Sequence, residues 1–307
     1  MTPLSDDHFG GALDGLPEAL RAALPSPLTP VADERFAARG LELLLKRDDL
    51  LHPALPGNKW RKLVPNLLAA RRRGDEALLT FGGAYSNHLR ATAAAGRLLG
   101  LATVGVVRGD ELARRPLNAS LARCAAAGMR LHFVSRSEYR ERADPAYRAG
   151  LCERLGLPPG TLVVPEGGSN DRAVHGCVAL GRELRGAADV VAVACGTGGT
   201  LAGLAAEGPP VIGVPVLAGG FLGAEVTRLQ REAFGGPRGT WRLEERFHCG
   251  GYARNTPALE AFARDFEARH GLAVERVYVA KALYAVTTLA AEGAFAAGSR
   301  VAVVVTG

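Results

Sequence analysis

Short apolar runs of Val, Leu, Ile and Ala recur along this chain, separated by longer Ala/Leu/Arg segments, and this alternation narrows the fold more than any other feature. Eight runs have strand length and composition: 41–46, 77–81, 102–107, 130–134, 161–164, 190–194, 211–216 and 300–305. Nine longer segments read as helices: 59–73, 87–99, 117–127, 145–155, 173–184, 200–206, 222–233, 257–270 and 281–297. Strands that are apolar throughout must be covered on both faces. Helices between successive strands supply that cover, so the pattern predicts an α/β fold built on open parallel sheet. At 307 residues and 48% hydrophobic, the chain is long enough for one large or two ordinary domains. Pro65 falls inside the 59–73 segment and predicts a kink or a later start. The first 40 residues, with Pro25, Pro27 and Pro30, read as loops packed across the sheet ahead of the first strand.

Charge and cysteine content exclude several functions. The net charge is +6, but the basic residues are scattered, and Arg71, Arg72 and Arg73 form the longest run. No aromatic stripe interleaves with them, so no nucleic-acid partner is expected. The five cysteines, Cys124, Cys152, Cys177, Cys195 and Cys249, form no CxxC pair and no His/Cys metal spacing. That predicts no metal site and a reducing compartment. No stretch approaches the roughly 20 apolar residues of a membrane span, and residues 1–10 lack the apolar core of a signal peptide. The expectation is a cytoplasmic protein with no membrane partner.

Three glycine-rich segments and one lysine carry the chemistry. Lysines are few: Lys46, Lys59, Lys62 and Lys281 against a background of arginine. In Gly57-Asn58-Lys59-Trp60-Arg61-Lys62 a lysine opens a helix. The positive helix end disfavours a cation there and favours the neutral amine that Schiff-base formation needs. A solvated lysine on a helix face is the plainer alternative. In Phe81-Gly82-Gly83-Ala84-Tyr85-Ser86-Asn87-His88 a strand turns into a helix whose first amides can take a carboxylate, while Ser86 or Asn87 can equally be a simple helix cap. Cys195-Gly196-Thr197-Gly198-Gly199-Thr200, between strand and helix, offers successive amides and two hydroxyls to a phosphate. It lacks the Gly-Lys-Ser/Thr of a P-loop, and Leu201 stands where a dinucleotide motif needs its last glycine. A nicotinamide dehydrogenase is therefore disfavoured. An amine, a carboxylate pocket and a phosphate cradle together are what pyridoxal phosphate (PLP) and an amino-acid substrate require.

These blocks resemble a known family. Lys46-Arg47-Asp48-Asp49-Leu50 with Gly57 to Leu63 is similar to the PLP-lysine region of 1-aminocyclopropane-1-carboxylate (ACC) deaminases and D-cysteine desulfhydrases. Gly82 to His88 with Thr92-Ala93-Ala94 resembles their substrate loop. Pro165-Glu166-Gly167-Gly168-Ser169, Cys195 to Thr200, Val277-Tyr278, Lys281-Ala282 and Thr306-Gly307 follow in the family's order. The resemblance runs from about residue 43 to the end of the chain. It implies the two-domain tryptophan synthase β-like fold (fold type II). A larger PLP-binding domain would comprise 1–60 and 160–307, and a smaller α/β domain, 61–159, would be inserted after the lysine.

Carried onto this chain, the resemblance implies that Lys59 holds PLP and Asn87 hydrogen-bonds its phenolic oxygen. Gly196, Thr197, Gly198, Gly199 and Thr200 would bind the phosphate. Thr306 would meet the ring nitrogen, a neutral partner rather than an acid. Ser86 would contact the substrate carboxylate or move a proton, and Tyr278 and Tyr252 would face the substrate as acid/base or orienting groups. A homodimer is implied as well. The chain departs from the pattern at Tyr85, where glutamine is common, and at Ala280, which replaces a glycine. It departs again at Val279, where ACC deaminases carry a glutamate and D-cysteine desulfhydrases usually a threonine. The expected activity is a PLP-dependent lyase or deaminase of D-cysteine desulfhydrase type acting on a small amino acid. ACC deaminase is the first alternative, and a non-catalytic PLP- or amino-acid-binding protein is an alternative of another class.

Overall fold

A computed structural model describes residues 15–55 and 57–307. Along the chain the elements are β1 (Leu28–Val31), α1 (Glu34–Ala37), β2 (Glu42–Lys46), α2 (Asn58–Arg73), β3 (Ala77–Gly82), α3 (Asn87–Leu99), β4 (Ala102–Arg108), α4 (Ala119–Ala126), β5 (Met129–Val134) and α5 (Pro145–Arg154). There follow β6 (Thr161–Val164), α6 (Asp171–Leu184), β7 (Val190–Cys195), α7 (Gly199–Glu207), β8 (Val211–Pro215), α8 (Leu222–Phe234), β9 (Trp241–Leu243), α9 (Pro257–His270), α10 (Val279–Ala291) and β10 (Arg300–Val304). The described residues divide into two compact units. One holds 15–22, His52–Leu55 and Lys59–Ala173; the other holds Ala23–Leu51, residues 57–58 and Val174–Gly307.

The unit that carries the C-terminus is built on a six-stranded sheet of order β1-β2-β10-β7-β8-β9. All its pairings are parallel except β1 with β2, which is antiparallel with Leu28 opposite Lys46. At the centre Val303 pairs with both Leu45 and Ala192. The central strands β7 and β8 are apolar throughout, and β2 and β10 carry charges only at their ends, because both faces are covered. Leu43, Ala192, Val214 and Val303 join one apolar layer with α9 and α10, and Val191, Val193 and Val304 join the other with α7 and α8. The sequence reading missed both edge strands. β1 contains Pro30, which has no N–H for a ladder and is tolerated only at an edge. β9 is three residues long, and none of the three is fully buried.

The other unit holds a four-stranded, all-parallel sheet of order β5-β4-β3-β6. β3 is buried at all six positions. The register places Leu79 opposite both Val104 and Val163. α2 runs through Pro65 from Asn58 to Arg73, so the later start expected from that proline does not occur. Losing one backbone hydrogen bond there costs roughly 3 kcal/mol. Burial of Trp60, Leu63, Val64 and Leu67, each at most 1% exposed, offsets it at about 1.5–3 kcal/mol per side chain. The expected 281–297 helix begins earlier and stops at Ala291, because Gly293 takes a φ of 76° that the Ala-rich continuation cannot carry as helix.

One ionic cluster ties the entry of the C-terminal unit together. Asp33 caps α1 through Arg35 N at 2.9 Å, accepts from Arg35 Nε at 2.9 Å, and accepts from His270 Nε2 at 3.0 Å at the end of α9. Burial pushes the carboxyl up, but the hydrogen bonds from Arg35 and His270 outweigh it and hold the pKa at about 2, below the ordinary 3.8. A carboxyl depressed in this way stabilises the fold above pH 3.8 and loses that contribution as pH falls toward 2. Asp33→Asn is expected to cost about 1–2 kcal/mol at neutral pH, and to flatten the acid limb of a stability-versus-pH curve in that window. Urea unfolding across that pH range checks both.

Candidate functional site

In an open parallel sheet, a crevice opens at the carboxyl ends of neighbouring strands whose onward connections diverge. In the six-stranded sheet the glycine-rich loop after β7 lies beside the carboxyl end of β10. The loop after β7 is Gly196-Thr197-Gly198, and α7 begins at Gly199. Gly198 caps the helix at φ 77°, and having no side chain it leaves the first amides of α7 without a cap from that position. A Cβ on Gly198 would come within 2.8 Å of Val226 Cγ2, so the loop closes tightly on α8. A Cβ on Gly196 would lie 3.4 Å from the Tyr278 hydroxyl, which places the Tyr278 ring directly on this loop. Thr200 is 5% exposed, and its Oγ1 accepts from Asn58 Nδ2 at 2.8 Å.

Thr306, just past β10, is 4% exposed. A Cβ on Gly57 would fall 1.5 Å from the Thr306 carbonyl oxygen, so only glycine allows this approach; its φ of 66° excludes other residues on a second ground. Gly57 and Asn58 are thus laid over the ends of β10 and of the loop after β7, and Lys59 is the next residue along the chain. Tyr278 stands at the head of α10, where the Glu275 carboxylate accepts from the amides of Val277 at 2.6 Å and Tyr278 at 2.7 Å. Tyr252 meets Tyr278 edge-on, with ring centroids 6.2 Å apart.

In the four-stranded sheet the diverging neighbours are β3 and β6. Ser86 lies after β3 and caps α3, accepting from Leu89 N at 3.3 Å; Asn87 is the first helical residue, and Arg90 donates to its Oδ1. The Pro165 to Ser169 segment follows β6, and its glycines are pinned from two sides. Lys62 Nζ, from α2, donates to Gly167 O and, at 2.6 Å, to Ser169 Oγ. A Cβ on Gly168 would lie 2.9 Å from the His88 ring. Thr80 Oγ1 donates to Val164 O at 2.9 Å, so it accepts from His88 Nε2 at 2.7 Å, which fixes the proton on Nε2. His88 is held neutral, well below the usual histidine range, first by burial and then by the charges of Lys59 and Lys62.

The sequence reading placed Lys59, Ser86, Asn87, Gly196 to Thr200, Thr306, Tyr252 and Tyr278 in a site. The structure puts Gly196, Thr200, Thr306, Tyr252 and Tyr278 together near the carboxyl ends of β7 and β10, and Ser86 and Asn87 beyond the carboxyl end of β3. The capping role and the ligand role read for Ser86 are compatible, since the cap uses one lone pair of its hydroxyl. Asn58, Lys62, Glu275 and Lys281 carry the supporting contacts and were not singled out from the sequence. Two of them act on partners far off in the chain, 142 residues away for Asn58 and 107 for the Lys62 bond to Ser169, while Glu275 acts on amides two and three residues on. Asn58 and Lys62 lay within the family-like Gly57 to Leu63 block and Lys281 within Lys281-Ala282, but no role was read for them there.

Two open parallel sheets with glycine-rich strand-to-helix loops at both divergence points define the fold type II class of PLP enzymes. The family pattern described as pyridoxal-phosphate dependent enzyme matches residues 21–307, and the chain belongs to that family. The chain is similar to a mitochondrial bifunctional D-cysteine desulfhydrase/1-aminocyclopropane-1-carboxylate deaminase of Arabidopsis thaliana, 34% identical over 54% of this chain and 44% of the relative. It is similar also to a D-cysteine desulfhydrase of Serratia proteamaculans, 36% identical over 54% of this chain and 52% of the relative. The matched region thus spans about half the length of these relatives. The crystal structure of an ACC deaminase homologue superposes with a TM-score of 0.80 at 25% identity, covering 97% of this chain and 93% of that one.

Family membership implies PLP as cofactor, and the residues present fit it. The loop after β7 presents a helix N-terminus whose cap residue is a glycine, which lets a phosphate approach the first amides of α7. Gly196 leaves room that a Cβ would take from the Tyr278 hydroxyl.

Proposed function

We propose that this chain is a PLP-dependent lyase or deaminase of a small amino acid carrying a leaving group at Cβ, of D-cysteine desulfhydrase type, yielding a 2-oxo acid, ammonia and the leaving group. The observation that carries this reading is the distribution of the four lysines. Lys46 is buried, donating to Ser26 O at 2.6 Å and paired with Glu183 at 2.6 Å. Lys62 is buried against the Gly167 loop, and Lys281 is buried against two main-chain carbonyls. Lys59 alone among them is half-buried, in the first turn of α2.

When bound, PLP withdraws electrons from the substrate Cα and makes its hydrogen acidic. Lys59 Nζ would anchor the cofactor covalently, and its amine would take the proton from the substrate Cα. Gly196 to Thr200 would hold the phosphate, the Asn87 side chain would donate to the phenolic oxygen, and Thr306 would offer the ring nitrogen a neutral hydroxyl. Ser86 and the first amides of α3 bind the substrate carboxylate. The Tyr278 hydroxyl delivers a proton to the leaving group, with Tyr252 as its orienting neighbour. The unit containing β7 and β10 serves as the PLP-binding domain, the other as the inserted domain, and the protein acts as a cytoplasmic homodimer.

ACC deaminase is the second reading, and Val279 speaks against it. Its side chain is 2% exposed within an apolar cluster that includes Ala194 and Leu283, so no acid stands beside Tyr278 at that position. The nearby Glu275 carboxylate is spent on main-chain amides. Purified enzyme is expected to form pyruvate from D-cysteine and to form 2-oxobutyrate from ACC at least about 100-fold more slowly, as the loss of one acid/base group predicts. Tyr278→Phe is expected to lower kcat about 10²-fold with cofactor retained. Faster turnover of ACC would reverse the order of the two readings. Bound PLP without turnover of any D- or L-amino acid would favour a binding protein.

A further inference from the structure

Lys281 sits where a cation is least comfortable. It is the third residue of α10 and is 0% exposed. A positive charge in the first turn opposes the helix dipole, and burial strips its water. Burial pushes its ammonium below the usual lysine range, while Cys249 and Glu275 act the other way. Two hydrogen bonds compensate: Nζ donates to the carbonyls of His248 and of Gly251, each at 2.9 Å.

Those carbonyls bracket a loop, 248–253, that belongs to no strand or long helix. Cys249 and Ala253 both adopt φ 54°, a left-handed conformation that non-glycine residues hold only when their surroundings enforce it. Short-range bonds also run within the loop: Gly250 N to His248 Nδ1 at 3.0 Å, Gly251 N to His248 O at 3.0 Å, Arg254 N to Gly251 O at 3.3 Å and Cys249 Sγ to Phe247 O at 3.3 Å. The same loop carries Tyr252, whose ring packs on Tyr278. Lys281 lies one helical turn beyond Tyr278, and its amide bonds the Tyr278 carbonyl at 3.1 Å. One turn of α10 therefore bears both the tyrosine that borders Gly196 and the ammonium that tethers the loop of the other tyrosine.

We propose that Lys281 is a positioning residue: its ammonium ties loop 248–253 to the head of α10 and so sets Tyr252 against Tyr278, fixing the aromatic wall that receives the substrate side chain. This rests on the assignment of Tyr278 to the substrate made above. Lys281→Met keeps the length and apolar stem but removes the donors; Lys281→Arg keeps charge and donors.

Hydrogen–deuterium exchange on the purified holoenzyme tests the tether without need of a substrate. In the unmodified protein, the 249–252 amides are expected to exchange as slowly as the first turn of α10. In Lys281→Met they are expected to exchange at least about tenfold faster, with β7 and β10 unchanged. For whichever amino acid is turned over, KM is expected to rise about fivefold or more and kcat to change less than about twofold, and Lys281→Arg is expected to restore part of the loss. Unmodified protein whose loop exchanges as fast as the exposed 292–298 turn would overturn the proposal even if Lys281→Met fails to fold. So would a folded Lys281→Met with unchanged loop exchange, or one that Lys281→Arg matches in every respect. If no amino acid is turned over, the exchange result still decides the tether, and only the functional assignment falls.

Discussion

Lys59→Ala is expected to abolish turnover and covalent cofactor attachment while leaving the fold intact. No other lysine can substitute, because Lys46, Lys62 and Lys281 are each buried and committed to a carboxylate or to main-chain carbonyls. Freeing any of them would leave buried carbonyls without donors, at about 1–3 kcal/mol each. The loss combines an anchor with a base, so kcat/KM should fall by at least about 10³-fold. The structural cost is small. Lys59 is half-buried in the first turn of α2, alanine is the best helix former, and the melting point should move by no more than a few degrees. Steady-state kinetics with circular-dichroism melting separates the two effects. Activity within tenfold of the unmodified enzyme would remove Lys59 from its role.

Gly57→Ala should damage the protein far more than its single methyl suggests. The added Cβ would lie 1.5 Å from the Thr306 carbonyl oxygen and 2.2 Å from its carbon, and both are backbone atoms that no rotamer change can move. β10 lies at the centre of its sheet, between β2 and β7, so Thr306 cannot retreat without disturbing a buried strand end. The alternative is for residues 57–58 to lift, which breaks the Asn58 bond to Thr200 beneath the loop after β7. Destabilisation of at least about 3 kcal/mol is expected, with weakened PLP retention. Gly74→Ala is the matched comparison: its φ of 72° is similarly left-handed, but nothing lies within 4 Å, so only the conformational cost of roughly 1–2 kcal/mol applies. Chemical denaturation of both variants checks the difference, and equal losses would show that close approach at Gly57 is unimportant.

The interior of the fold was legible because central parallel strands must be apolar on both faces, as β3, β7 and β10 are. Edge strands escape that requirement, which is why β1 with its proline and the short β9 carried no readable pattern. Helix ends were readable where a cap is local, as at Ser86 and Thr256, and misread where composition continued past the stop, as after Ala291. The glycine-rich loops and Lys59 announced themselves through local spacing. The supporting residues did not, because the value of Lys62, Lys281 or Asn58 lies in a carbonyl or hydroxyl that the fold delivers from elsewhere in the chain.

Borohydride reduction of the purified protein, followed by peptide mapping of the fixed cofactor, tests the assignment of Lys59 most directly. The visible absorbance of bound PLP should vanish on reduction, and a single phosphopyridoxyl adduct should map to Lys59. With four lysines in the chain, of which three are buried, the assignment is unambiguous. An adduct on Lys46, Lys62 or Lys281, or no cofactor absorbance after incubation with PLP, would contradict the assignment of Lys59 and the activity built on it.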